Sequence, residues 1–65
     1  MTPHLNLSEQ RELRRGGYIM RQFRLKSTGE TYWVELKQSW DRLYFRCDGG
    51  PWCKSATEAI RWAAL

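Results

Sequence analysis

A chain of 65 residues with a net charge of +4 has room for one domain and a small core, because folding at this size removes only roughly 60% of the unfolded chain's surface from water. Hydrophobic residues at 42% and aromatics at 14% exclude wholesale disorder, and no run approaches the ~18 consecutive apolar residues of a membrane span. Four Trp, three Tyr and two Phe in so short a chain cannot all be interior, and large exposed apolar groups point to a partner.

In chain order, "NLSEQRELRRGG" predicts a short helix. Asn6 or Ser8 is placed to cap it, Glu9 lies in the first turn, Arg14 and Arg15 in the last, and Gly16 stops it. Its apolar content is only Leu7 and Leu13. So short and polar a helix is marginal in water, and is expected to be frayed or ordered by a partner. "QFRLK" and "TYWVEL" then flank "STGE", whose Gly29 supplies the positive φ of a hairpin loop. "QSWD" turns the chain into a third strand, "RLYFRC", and "DGGP" breaks it. The final segment, "SATEAIRWAAL", has the S-x-x-E spacing of a capping box at Ser55 and Glu58, with Ala56, Ala59, Ile60 and Ala63 at i, i+3, i+4, i+7. The expected architecture is α+β: a three-stranded antiparallel sheet packed on one C-terminal helix, as a domain over residues 18–65 preceded by a basic segment or short helix over residues 1–17.

Charge is distributed unevenly. Residues 1–26 hold six cations and two acids, whereas residues 27–65 hold five of each; such asymmetry points toward a polyanion or an acidic protein surface. Strand alternation sorts the charges of the sheet across both halves. Phe23, Leu25, Val34, Leu36, Leu43, Phe45 and Cys47 form one apolar set for the helix to cover, while Arg24, Lys26, Trp33, Glu35, Lys37, Arg42, Tyr44 and Arg46 form the other. The outward set has five cations against one acid. A solvated basic strand face is the plain alternative, since charges also protect sheet edges from pairing. Five cations with two aromatics on one face favour binding.

Three strands followed by a helix, with "YWVEL" on the central strand and "SATEAIRWAA" on the helix, resemble the sheet-and-helix DNA-binding domains of plant ethylene-response factors. The pattern is similar as well to the N-terminal arm-site-binding domains of tyrosine-type phage integrases, where a basic segment like "RELRRGG" precedes the sheet. The resemblance implies that the exposed sheet face enters the DNA major groove, with Arg24, Trp33, Lys37 and Arg46 on bases and phosphates. It makes the chain a double-stranded DNA-binding module, of the phage or mobile-element regulator or recombination-accessory kind. Lys26, Arg42, Tyr44, Arg14 and Arg15 complete the candidate nucleic-acid-binding residues.

Two other partners stay open. A small phage or mobile-element protein that binds and inhibits a host protein would use Trp33, Trp40, Tyr44 and Trp52 as anchors. A double-stranded-RNA-binding domain also runs helix, three strands, helix, although "CKSATEA" carries one Lys where several are usual and "STGE" lacks the usual His. Catalysis is not expected: His4 is the only His, no nucleophile has a base at a recognisable spacing, and no small-molecule substrate or cofactor is implied. Cys47 and Cys53 with His4 are too few for zinc, so two free thiols are expected, a disulfide across the intervening loop being the lesser alternative. With no apolar leader at the N-terminus, the expected compartment is the cytoplasm, or the nucleus where the source has one.

Overall fold

The computed structural model describes residues 4–64, so Met1, Thr2, Pro3 and Leu65 lie outside the description. The elements run α1 (Leu7–Arg14), β1 (Tyr18–Arg24), β2 (Thr31–Ser39), β3 (Arg42–Arg46) and α2 (Ala56–Ala63). The strands form one antiparallel sheet in the order β1-β2-β3. This is the α+β arrangement expected from the sequence, with shifted strand bounds: β1 ends at Arg24 rather than Lys26 and β3 at Arg46 rather than Cys47, whereas β1 starts earlier and β2 ends later than expected. β1 begins at Tyr18 and β2 runs on through Gln38 and Ser39, leaving only Trp40 and Asp41 to turn the chain.

Local chemistry fixes the ends of α1. Asn6 accepts from the Glu9 amide at 2.9 Å and Glu9 returns the bond to the Asn6 amide at 3.1 Å, a complete capping box. At the other end the Gly17 amide donates to Glu12 and the Gly16 amide to Leu13, with Gly16 at φ +85°. These are the two bonds of a Schellman motif, whose left-handed residue favours glycine. In α2 only half of a box forms, Ser55 accepting from the Glu58 amide. The β1–β2 connection closes on a Gly29 amide to Leu25 carbonyl bond, with Gly29 at φ +76°.

Both helices lie on the same face of the sheet, α1 over β1 and β2, and α2 over β2 and β3. Between helices and sheet are the eight buried residues, Leu13, Val34, Leu36, Phe45, Cys47, Cys53, Ala59 and Ile60. They come from every element except β1, whose Ile19 and Phe23 pack against the cluster from the side. No buried residue among those described is polar or charged. Cys53 exchanges both backbone bonds with Phe45 at 2.7 and 2.8 Å, extending the sheet by a single bridge beyond β3. Both cysteines are free and buried. Burial pushes both thiols up from their ordinary pKa, with Asp48 adding to the effect at Cys47 and Glu58 at Cys53, so they are held away from the reactive thiolate.

α1 is an integral layer of this fold. Leu13 is fully buried, and the Arg21 guanidinium on β1 reaches across to Glu9 at 3.0 Å and to the His4 carbonyl at 2.8 Å. No described helix is long and apolar enough to cross a membrane.

Candidate nucleic-acid interface

With both helices on one face, the other face of the sheet is left to solvent, and strand register builds it rung by rung. Tyr18, Lys37 and Tyr44 stand side by side across the three strands, followed by Met20, Glu35 and Arg46, then by Gln22 and Trp33, and last by Arg24 and Thr31. Beyond the first rung, Ser39 pairs with Arg42 at the β2–β3 turn. Trp33, Lys37, Arg42, Tyr44, Arg46 and Arg24 are therefore neighbours on one surface, as alternation requires. Lys26 lies just past β1, exposed, in the connection to β2.

Trp52 organises the centre of this face. It follows the "DGGP" loop and precedes Cys53, which points inward, so its indole lies on the outward side. There it stacks on Tyr18 with ring centroids 5.8 Å apart and planes 17° from parallel. Lys37 Nζ is 4.4 Å from the centroid of the Trp52 ring and Arg46 Cζ 4.5 Å from it. Arg46 also donates from Nε and Nη2 to Glu35 Oε1, at 3.1 and 2.9 Å. One edge of the guanidinium is thus occupied. The Nη1 protons and the second Nη2 proton remain, and these form the end-on fork that binds a phosphate or a guanine edge.

The exposed cations fall into two groups at opposite ends of β2. Arg24 and Lys26 flank the β1–β2 connection together with Trp33, which is 57% exposed. Arg42 stands at the other end, where it shares an open cleft of about 480 Å³ with Lys54 and Ser55 at the entry to α2. Thr31 and Ser39 are eight steps apart along β2, a distance of about 26 Å at ~3.3 Å per residue. Arg14 and Arg15 are exposed at the end of α1, in the helical layer at the sheet's margin, and Arg15 is 3.8 Å from Glu12. They are not part of the outward face.

Three contributors were not assigned to this surface from the sequence, although Trp52 was among the anchors of the protein-binding alternative. Tyr18 precedes the "QFRLK" segment read as the first strand, Lys54 is a lone cation in a loop, and Trp52 belongs to no strand whose alternation would give it a side. Only its place next to Cys53, whose side chain points inward, carries a hint of its direction. Among the described residues no cluster of His, Cys, Asp and Glu could hold a metal ion.

No protein-family model matches this chain, and neither a curated protein nor a solved structure matches it.

Proposed function

We propose that this chain binds double-stranded DNA through the outward face of its sheet. The observation that carries the proposal is the charge and shape of that surface. Arg24, Lys37, Arg42 and Arg46 are arrayed over three strands against the single acid Glu35, with Lys26 just beyond the end of β1 and Trp33 standing exposed among them. The cationic ends of β2 contact phosphates, which supply affinity and register. The middle of the face supplies contacts to base edges, since a β-ribbon fits the major groove. Arg46 is suited to a base edge because Glu35 and Trp52 hold its guanidinium in one orientation, so less side-chain entropy is lost on contact. Such a module fits a regulator or a recombination accessory.

A titration against random-sequence duplex DNA and duplex RNA at several salt concentrations tests this. Neutralising about four to six phosphates gives a log–log slope of roughly −4 to −5 for DNA, at about −0.9 per phosphate. Absence of binding in low salt, or a slope near zero, removes the proposal and favours a protein partner. Tighter binding to the RNA duplex favours the double-stranded-RNA alternative.

A further inference from the structure

The two-residue turn between β2 and β3 carries a side chain that the fold does not use. Trp40 is 95% exposed, the most exposed of the large hydrophobic residues described. Its backbone sits at φ +60°, in the left-handed region where a bulky aromatic is an outlier and Gly, Asn or Asp is usual. Positive φ at the first turn residue alone is the pattern in which glycine is favoured at that position. Its carbonyl accepts from Gln38 Nε2 at 3.3 Å, a bond that leaves the indole unused. Neither aromatic pair and neither cation–π contact among the described residues includes its ring. The position thus combines a strained backbone with an indole that packs on nothing, and backbone strain of this kind collects at functional sites.

The surroundings of the tip indicate its ligand. Ser39 and Arg42 form the base of the turn, and Lys37 and Tyr44 form the next rung on the outward face. Arg42 is exposed and shares its cleft with Lys54; Asp41, in the turn itself, is the one acid there. A flat aromatic projecting beyond a set of cations matches a nucleotide, which offers a π-face next to a phosphate. In an intact duplex both faces of every internal base are covered by stacking, so an indole gains a partner only where a base is unpaired.

We infer that Trp40 stacks on an unpaired base, so that the preferred ligand of the outward face is duplex DNA interrupted by a bulge or a single-strand junction. This rests on the DNA-binding reading of that face. The test compares two duplexes of identical sequence, one fully paired and one with a central single-base bulge, against the full chain and its Trp40→Gly and Trp40→Asn variants. Both substitutions suit a left-handed backbone, so their melting temperatures should not fall below the parent's. The parent should bind the bulged duplex about 5- to 150-fold more tightly than the paired one, the range expected of one base–aromatic stack. Both variants should bind the two duplexes alike, with the parent's affinity for the paired one. Equal affinity of the parent for both duplexes, or a bulge preference that survives in the variants, overturns the inference while leaving duplex binding in place. Failure of the parent to bind either duplex overturns the DNA reading itself. Trp40-dependent capture of the chain by anionic lipid vesicles, without any bulge preference, assigns the tip to a membrane surface instead.

Discussion

The two faces of β2 differ more than any two surfaces of this molecule. Val34 and Leu36 point inward and expose nothing, whereas Trp33, Glu35 and Lys37, one residue away in each case, point outward and remain wholly or partly accessible. The inward side is made by shape alone: no polar side chain among the described residues is buried, and Phe45 meets Phe23 edge to face with centroids 6.0 Å apart. The outward side is made by pairing of unlike chemistries, with cations over an indole and a carboxylate under a guanidinium. Dry packing resists substitution because a void has nothing to fill it. The outward contacts are half-solvated, so each is worth little to the fold and leaves the groups able to meet a ligand.

The sharpest way to break this comparison is Phe45→Ala. Phe45 is 5% exposed, belongs to the core cluster near the end of β3 and holds Cys53 in the extra bridge. Truncation should cost about 3 to 5 kcal/mol, a large share of the ~5 to 15 kcal/mol that holds a domain together. A thermal melt within a degree or two of the parent would mean that the core is not where the sheet and helices place it.

Most of this division was legible in the sequence, because a period of two assigns a face to every residue of a strand once one is known. Phe23, Val34, Leu36, Phe45 and Cys47 fall on the inner side as alternation requires, and α2 buries Ala59 and Ile60, at i+3 and i+4 from Ala56, as its helical spacing requires. α1 was harder. Its two leucines look alike in sequence, yet Leu7 is 69% exposed and Leu13 fully buried. Its place on the sheet depends on Arg21 reaching Glu9, a contact twelve residues apart that no local pattern announces. The site divides similarly. Strand residues Arg24, Trp33, Lys37, Arg42, Tyr44 and Arg46 were readable as one surface. The engagement of Lys37 and Arg46 by Trp52 was not, since a loop residue has no periodicity to aim it.

Trp52→Ala sharpens the comparison at its intermediate point, an aromatic on the outward side that nevertheless packs. Loss of the stack on Tyr18 and of two cation–π contacts should cost about 1 to 2 kcal/mol, less than any core truncation. Lys37 and Arg46 would then be free to adopt many rotamers. Affinity for a preferred DNA sequence should fall more than affinity for random duplex, because base contacts need the fixed guanidinium whereas phosphate contacts need only the charge. An equal fall on both would show that Trp52 supports the fold without arranging the cations.

Trp33→Ala should have the smallest effect on stability and separates the two faces at a single step along the chain. The ring is 57% exposed and its register neighbour on β1 is Gln22, so truncation removes little area from the interior and leaves no cavity. The change in stability should stay within about 1 kcal/mol, with a melt close to that of the parent. Binding should respond in the opposite proportion. The indole lies between Thr31 and Glu35 along the outward side of β2, so a duplex held by Arg24 and Lys26 at one end of β2 and by Arg42 at the other would pass over it. Replacing it with Ala takes away the largest apolar contact available there, and affinity should fall about tenfold, as expected for one buried aromatic at an interface. The salt slope should stay unchanged, since no charge is removed. A variant that melts far below the parent would show that Trp33 supports the sheet from outside. One that melts normally and binds duplex DNA as the parent does would leave the outward face intact but give it to a different partner.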